Sequence, residues 1–462
     1  MKTQVLKSLV LLSVFSAACS ASPDKKDGSL KEQPAGGTTN EAAIKSFEAA
    51  VVAYDQSQGK ALDQVQRYLE VAVDEDPRFG KAWFNLGVVN EQAGKNSDAI
   101  SAYEKALEVS PALGAAYVNL GMMKADQNQL DEARSYFQRA IEADNFNPMA
   151  HSNLSVYFRN EQDYKNAVRH ARLSLAGDSQ NLSAYENLAR TYYAMKAYDV
   201  ALLVCLNAEK IDATRPDIYN IMGMVWLAKN DVTEAIRQFK KAVELDPNHV
   251  AALMNLGAVI LNVRNYEGAI ELFNRVLALE PDNVEAKISI AVAKRGSGDL
   301  DGARKMYEEV MAKEPENAYV QFNLGIMEHE ILAQDAMIGI GRGDSPEDPL
   351  AQMDWTVANM EEAVKHYEKA IEHYRNFLAY DRKGDAEVRN DANERIQRVQ
   401  ELVQVTSEQV PELRRQKIQI EQDMKAAAED EKRAAEEAKA AEDAAKADAA
   451  AKAAEGQTPA AQ

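Results

Sequence analysis

Histidine and cysteine are the residues with which this sequence could most readily hold a metal ion or perform catalysis. Six histidines and two cysteines are scattered over 462 residues. His366 and His373 are seven residues apart and could share one face of a helix, but no cysteine or carboxylate pair completes a metal site beside them. No phosphate-binding loop, dinucleotide fingerprint or nucleophile motif occurs. The sequence therefore predicts no catalytic residue, no metal site, no cofactor and no enzyme activity.

The first 40 residues have the composition of a targeting segment followed by a tether. Lys2 and Lys7 accompany an apolar run from Ser8 to Ala18, which is typical of a signal peptide over residues 1–18. The run is shorter than the roughly 20 apolar residues that span a bilayer. Residues 19–40 are rich in Gly, Ser, Pro and Lys, as flexible tethers are.

Cys19 directly follows Ser16-Ala17-Ala18. This arrangement resembles the lipobox of bacterial lipoproteins, in which the cysteine becomes the lipidated first residue, although an aliphatic residue is usual where Ser16 stands. The resemblance implies lipidation of Cys19, and Ser20 after it implies an outer-membrane destination. Ser16 and Ala18 also fit ordinary secretory cleavage, which would leave a soluble periplasmic protein.

Five kinds of residue recur at intervals of 34, which indicates an internal repeat. They are a proline, an aromatic residue, a glycine, an alanine and a second aromatic residue. The series include Pro77, Pro111, Pro247, Pro281 and Pro315; Trp83, Tyr117, Tyr185 and Tyr219, with His151 in the same place; Gly87, Gly121, Gly223, Gly257 and Gly325; Ala99, Ala133, Ala167, Ala201, Ala235, Ala269 and Ala303; and Tyr103, Phe137, Phe239, Phe273 and Tyr307. Repeats begin near residues 46, 80, 114, 148, 182, 216, 250, 284 and 318.

This pattern resembles the tetratricopeptide repeat (TPR), and the resemblance implies an all-α, superhelical solenoid of about nine helical hairpins over residues 41–380. We expect each glycine to lie where the two helices of a hairpin cross, and each proline to end the second helix. Stacking is required because one hairpin cannot bury its apolar stripe alone. Cys205 falls on an apolar helix face and is expected to be a buried thiol.

The resemblance also implies a partner-binding groove lined by the first helix of each hairpin. Position six carries an amide that could bind a peptide backbone, or that is simply common in the repeat. Positions five and nine are mostly apolar, as an exposed binding strip or as packing between helices. The candidate groove residues are Asn85, Asn119, Asn153, Asn187, Asn255 and Asn323 at position six, and Phe84, Val88, Val118, Met122, Met224, Met254, Ile288, Phe322 and Ile326 at positions five and nine.

The ninth repeat is interrupted, and a long segment follows it. We expect a loop insertion over about residues 331–356, which includes the tripeptide Arg342-Gly343-Asp344, and a second helix that carries Tyr367 at its aromatic position. Residues 386–424 are expected to form a capping or extension helix, with a stripe of Val388, Ala392, Val399 and Val403 and a break or kink at Pro411. Residues 425–462 read as an Ala/Lys/Glu-rich tail, helical or disordered.

The formal charge of −20 argues against nucleic acid, because a phosphate binder needs a basic surface. It also argues against adsorption of the body onto anionic lipid, which leaves an N-terminal lipid as the only expected membrane contact. No motif indicates a small-molecule substrate. The expected partners are other envelope proteins, bound through the groove and the tail.

Together these features predict a protein-binding scaffold on the periplasmic face of the outer membrane. They resemble the TPR lipoproteins of bacterial gliding-motility machineries, which implies assembly of a multiprotein envelope complex. Two alternatives remain open: a pilotin-like lipoprotein for pilus or secretin assembly, and a non-catalytic regulatory or specificity subunit of a cell-wall enzyme.

Overall fold

The computed structural model describes residues 39–57, 59–339, 346–381, 384 and 386–455. The expected signal peptide, Cys19, nearly all of the expected tether and the Arg342-Gly343-Asp344 tripeptide lie outside these ranges. Within them the chain is helical and contains no strand. It divides into two compact units whose boundary falls between Ala286 and Lys287. No helix of the described ranges is both long enough and apolar enough to cross a bilayer.

The first unit is a series of antiparallel helical hairpins, each made of two consecutive helices. The helices are α1 (Glu41–Ser57), α2 (Leu62–Glu75), α3 (Gly80–Gln92), α4 (Asn96–Val109), α5 (Gly114–Asp126), α6 (Leu130–Ala143), α7 (Pro148–Asn160), α8 (Tyr164–Gly177), α9 (Leu182–Ala194), α10 (Tyr198–Ile211), α11 (Pro216–Ala228), α12 (Val232–Leu245), α13 (Val250–Asn262) and α14 (Tyr266–Leu279), and α15 (Val284–Ser297) contains the boundary between the units. Odd-numbered helices are the first helices of the predicted repeats. The all-α repeat fold expected from the sequence is therefore confirmed.

One residue in the left-handed region joins the two helices of each hairpin. These residues recur every 34 positions, at Gly94, Asn128, Gln162, Lys196, Asn230, Arg264 and Gly298, with φ between 60° and 92°. Such a residue ends a helix by turning its last amide back onto the helix's carbonyls, and glycine adopts this conformation without steric cost. Five of the seven are not glycine, so the packed hairpin sustains a backbone conformation that the residue alone disfavours.

In five hairpins of the described ranges, the two helices cross where a glycine faces an aromatic ring. A methyl group at Gly87 would stand 2.5 Å from Tyr103 Cδ1, and one at Gly223 would stand 2.5 Å from Phe239 Cε1. The alanines of the 34-residue series are all buried beside these crossings. The crossing distance is therefore set by a side chain that must be absent on one helix and by a ring that fills the space from the other.

The described part of the second unit contains helices of repeat length or shorter and two much longer helices. Its helices after α15 are α16 (Leu300–Lys313), α17 (Ala318–Met327), α18 (Ala333–Gly339), α19 (Pro349–Tyr380) and α20 (Ala386–Glu455), and a π-helical turn (Glu328–Leu332) connects α17 to α18. The expected loop over 331–356 is therefore wrong in part, because residues 331–339 and 349–356 are helical.

The turn position of the 34-residue series explains this difference. The residue 34 positions after Gly298 is Leu332, which lies at the end of the π-helical turn. The helix continues through it to Gly339 instead of reversing. The other first helices end at a left-handed residue, which is missing here. The backbone therefore stays helical and passes through this position as one wider, π-helical turn.

The helix α20 packs its first half against α19. Ala392 and Val399 are fully buried in a core cluster with Tyr374 and Phe377 of α19. Further along, Val410 packs with Val357 and Met360. All residues from 418 to 450 are exposed, so the last part of α20 contributes no core.

The break expected at Pro411 is wrong, because α20 is continuous through it. Proline removes one hydrogen bond and leaves the carbonyl of Ser407 without its helical partner. Both residues are exposed, so water can replace that bond.

Candidate protein-binding surface

The asparagines at position six form hydrogen bonds within the protein. Asn119 Nδ2 donates to Tyr103 Oη at 3.0 Å, Asn187 Nδ2 to Ser152 Oγ at 3.0 Å, and Asn255 Nδ2 to Asn220 Oδ1 at 2.8 Å. Each of these bonds joins neighbouring repeats.

The other members of the series differ. Asn153 and Asn323 donate to the carbonyls of Met149 and Tyr319 in their own helices, at 3.0 and 2.9 Å. Asn85 is buried. Five of these amides therefore form hydrogen bonds that support the fold. Peptide binding by the asparagines stays a prediction.

The apolar side chains at positions five and nine do not form an open strip. Five of the nine expected lining residues are buried, and the other four are half-buried. The buried ones are Val88, Val118, Met254, Ile288 and Phe322, and the half-buried ones are Phe84, Met122, Met224 and Ile326. The expectation of an exposed apolar lining is therefore corrected, whereas partner binding by these residues stays a prediction.

Contacts inside and between hairpins account for this burial. The ring of Phe84 lies 5.7 Å from that of Tyr103, and Val118 packs in a cluster with Phe137 and Leu154. Phe322 lies 5.0 Å from Phe377 in the second unit. First helices of successive repeats contact each other. The apolar side chains between them are therefore buried by packing of one repeat on the next.

Charged residues replace the apolar ones on α9, and further charged residues lie at the N-terminal ends of α11 and α13. Glu186 and Arg190 occupy positions five and nine of α9. Arg215 Nε donates to Glu186 Oε1 at 2.8 Å, and Arg190 Nη2 lies 3.3 Å from Asp217 Oδ1. His249 Nε2 lies 3.4 Å from the same Asp217 oxygen. We call Glu186, Arg190, Arg215, Asp217 and His249 the charged cluster.

Burial raises the pKa of Glu186 to about 7, and the neighbouring charge of Asp217 acts in the same direction. The two arginines oppose this shift but do not cancel it. The carboxyl group is thus poised to exchange a proton near neutral pH. In sequence, the only sign of the cluster is that Glu186 and Arg190 interrupt an otherwise apolar series, and its burial could not be read from that pattern.

A second polar network lies in the other unit, around the π-helical turn. Glu328 is buried; Arg304 Nη2 lies 3.1 Å from its Oε1, and His366 Nδ1 bonds its Oε2. His373 Nδ1 bonds Gln321 Oε1 at 2.7 Å. The two histidines of α19 therefore each bond a residue of α17 or of the turn that follows it. No group of three or more His, Cys, Asp or Glu in the described ranges could hold a metal ion.

His151 and Cys205 are packing residues in the first unit. His151 is buried, its Nδ1 lies 2.9 Å from His170 Nδ1, and its Nε2 donates to the carbonyl oxygen of Asn145 at 3.0 Å. Burial, with His151 alongside, lowers the pKa of His170 to about 4. Cys205 is 1% exposed, so the predicted buried thiol is confirmed, and burial raises the pKa of that thiol to about 12.

Family models described as tetratricopeptide repeat match four overlapping segments of the chain. They cover residues 78–145, 118–181, 227–287 and 261–324. No curated protein sequence matches the chain.

Solved structures with a similar arrangement include PilF of Pseudomonas aeruginosa, yeast Tom70 and YrrB, a TPR protein with an unusual peptide-binding site. PilF is 23% identical over 45% of this chain and 95% of its own, with a TM-score of 0.39. Tom70 is 20% identical over 66% of this chain and 65% of its own, with a TM-score of 0.46. YrrB is 23% identical over 41% of this chain and 97% of its own, with a TM-score of 0.30.

The matched segments coincide with hairpins that share one register of left-handed turn residue and buried alanine. TPR proteins generally act as protein-interaction scaffolds. This chain carries tandem tetratricopeptide repeats and folds as a tetratricopeptide-repeat solenoid with a C-terminal helical region.

Proposed function

We propose that this protein is a scaffold that binds a segment of a partner protein on the first-helix face of repeats four to six. That face is formed by positions five, nine and twelve of α7, α9 and α11. It binds through polar and charged contacts, with half-buried side chains such as Met224 at its edge.

The charged cluster is the observation that carries this proposal. Taking charged side chains out of water costs free energy, and apolar residues of similar volume would stabilise the stack at least as well. At positions five and nine of the first helices in the other repeats, the residues are uncharged and mostly apolar, and the apolar ones pack between repeats. A charged interruption at this one place is what a recognition surface requires and what packing alone does not.

We further propose that the scaffold works in the cell envelope, attached to the periplasmic face of the outer membrane by lipid on Cys19. The lipobox-like Ser16-Ala17-Ala18-Cys19 and the tether composition of residues 19–40 support this placement. The exposed last part of α20 would be a second attachment point for a multiprotein complex, such as a gliding-motility machinery.

Site-specific photocrosslinking in native cells tests the docking surface. A photoreactive amino acid at Met224, half-buried on α11, should crosslink the partner. The photoreactive amino acid placed instead at Leu203, which is 58% exposed on the second helix α10, is the matched control and should not crosslink the partner. Crosslinks at Leu203 with none at Met224 would place the partner on the second helices and overturn the proposal.

The identity of the crosslinked protein separates the possible roles. Structural envelope proteins support the scaffold of an envelope machine. Pilus or secretin subunits support the pilotin-like role, and a cell-wall hydrolase or synthase supports the role of regulatory subunit.

A further inference from the structure

Arg159 is a cation on the first-helix face that has no partner for part of its guanidinium group. It occupies position twelve of α7, on the same helical face as Ser152 and Val156. Its Nη1 atom is buried, and no residue of the described ranges accepts a hydrogen bond from it. Burial, together with the positive charge of Arg190, lowers the pKa of Arg159 to about 10.

The neighbouring charges do not neutralise Arg159. Glu186 is engaged by Arg215, and Asp217 is engaged by Arg190 and His249. Arg159 adds a further positive charge without a further carboxylate. In a chain with a formal charge of −20, this leaves local positive charge in excess at one place on the first-helix face.

Arg134, in the preceding repeat, also has a buried nitrogen, Nε, without a hydrogen-bond partner in the described ranges, but aromatic rings stabilise its charge. Its guanidinium carbon lies 5.4 Å from the ring centre of Tyr157 and 5.6 Å from that of Phe158, at distances suited to cation–π attraction. The structure gives no such ring contact for Arg159. An unpaired buried cation costs stability, so its presence points to a ligand that completes it.

We propose that Arg159, with Arg190 beside it, forms an anion subsite that binds a carboxylate of the docked partner segment. The inference rests on the proposed scaffold function and specifies its recognition chemistry. A guanidinium and a carboxylate match in charge and in planar, two-pronged geometry, which makes them a strong and oriented pair. The carboxylate belongs either to an Asp or Glu side chain of the segment or to its C-terminus.

A stability measurement gives a test that needs no partner. Arg159→Met keeps an unbranched, flexible side chain and removes the buried charge. We expect its melting temperature to equal or exceed that of the wild type, because no bond of Nη1 is lost. A marked fall in melting temperature would assign Arg159 a structural role and overturn the proposal.

Binding of three defined octapeptides to the full chain tests the ligand class. Each carries a neutral fluorophore and is followed by fluorescence anisotropy. The first is amidated (Glu-Ala)4, the second amidated (Gln-Ala)4, and the third (Gln-Ala)4 with a free C-terminal carboxylate. We expect the wild type to bind the first or the third at least about tenfold more tightly than the second, since a buried charge pair is worth that much or more. The preferred peptide shows which source of carboxylate the subsite takes.

Two variants complete the test. Arg159→Met should abolish the preference between peptides, and Arg169→Met, which removes an exposed arginine from the second helix of the same repeat, should keep it. Equal binding of all three peptides by the wild type, no binding of any, or a preference that survives Arg159→Met would overturn the subsite.

Failure of the subsite and failure of the scaffold remain distinguishable. If the photoreactive residue at Met224 crosslinks a partner equally well in the wild type and in Arg159→Met, the scaffold function is supported and the anion subsite is contradicted. If Met224 crosslinks nothing in the wild type, the scaffold falls whatever the peptides show.

Discussion

Tyr374 fills the space left by Gly325, as Tyr103 does for Gly87, but from a much greater distance along the chain. A methyl group at Gly325 would stand 2.7 Å from Tyr374 Cε1. Tyr374 follows Gly325 by 49 residues, whereas Tyr103 follows Gly87 by 16. Sequence spacing predicted Tyr367 at this crossing. The interrupted ninth repeat instead forms the standard helix crossing with Tyr374, seven residues later.

We predict that Gly325→Ala destabilises the second unit through this contact. The added methyl group would press on a ring that cannot withdraw, which costs about 1–3 kcal/mol of unfolding free energy. Replacing Tyr374 by Leu in the same chain should relieve part of that cost, and replacing Tyr367 by Leu should not. Urea denaturation followed by Trp355 fluorescence, with Trp83 and Trp226 changed to Phe, reports on this unit. Coupling to Tyr367 in place of Tyr374 would contradict the observed register.

The ninth repeat also shows where prediction of the fold from sequence stops. The constant 34-residue spacing located the hairpins of the first unit, because successive hairpins there pack in one register. The interruption could not be placed, since nothing in the local sequence states that the helix passes through Leu332 as a π-helical turn. The partner of Gly325 depends on tertiary packing: the spacing from Ala363 favours Tyr367, whereas the fold uses Tyr374, seven residues later.

Asn119→Ala should lower stability, because its amide joins two repeats through the buried hydroxyl of Tyr103. Loss of this hydrogen bond leaves the hydroxyl one donor short, at a cost of about 1–3 kcal/mol. Asn153→Ala is the control in the same unit, since that amide only bonds the carbonyl of Met149 in its own helix, and it should change stability by less than about 0.5 kcal/mol. Circular dichroism during urea denaturation measures both. If Asn119→Ala kept full stability and lost partner binding, the amide would be a recognition group after all.

The candidate site was harder to derive than the fold for a related reason. The 34-residue register correctly located the first-helix positions, yet it could not tell packing from exposure for Val118 or Met254. It also did not indicate Arg159 as a binding residue, because the burial of this side chain and the charges near it depend on neighbouring repeats. Charge balance and burial are properties of neighbouring repeats together, and one repeat's sequence does not contain them.

Glu186 should make the first unit less stable as pH rises. The pKa of its carboxyl group is near 4.5 in an unfolded chain and about 7 in the fold. Between these values the folded chain holds a proton that the unfolded chain has released, so the free energy of unfolding falls as pH increases. The full effect is about 3 kcal/mol, complete above pH 7 and absent below pH 4.5.

Glu186→Gln isolates this contribution. Relative to the wild type, the variant should gain stability progressively between pH 4.5 and 7, while titrations shared by both proteins cancel in the difference. Urea denaturation at several pH values, followed by Trp83 and Trp226 fluorescence in a Trp355→Phe background, gives the comparison. A difference that stays constant across this range would show that burial does not shift the pKa of Glu186.

Cys19→Ser should release the protein from membranes. The proposed anchor is lipid on this cysteine, and serine cannot accept the thioether-linked lipid. Cys205→Ala is the matched control, because its thiol is buried and its loss leaves the anchor intact. Membrane fractionation and metabolic labelling with a fatty-acid analogue check both variants. Unchanged fractionation of Cys19→Ser would leave secretory cleavage to a soluble periplasmic protein as the better reading of the N-terminus.

Two valines of α20 allow a test of whether this helix packs against α19. Val399 is fully buried against α19, whereas Val405, six residues later, is 52% exposed. Both valine-to-alanine changes raise helix propensity by the same small amount, so any difference between them reports packing. Val399→Ala should lower the unfolding free energy of the second unit by about 2 kcal/mol, through lost contacts and the cavity left behind.

Val405→Ala should change that free energy by less than about 0.5 kcal/mol. Trp355 fluorescence during urea denaturation again follows the unit, because this tryptophan lies on α19, the helix against which α20 packs. Equal effects of the two substitutions would mean that α20 does not cap the core formed by Tyr374 and Phe377. In that case the whole of α20, and not only its exposed last part, would be free to reach a partner.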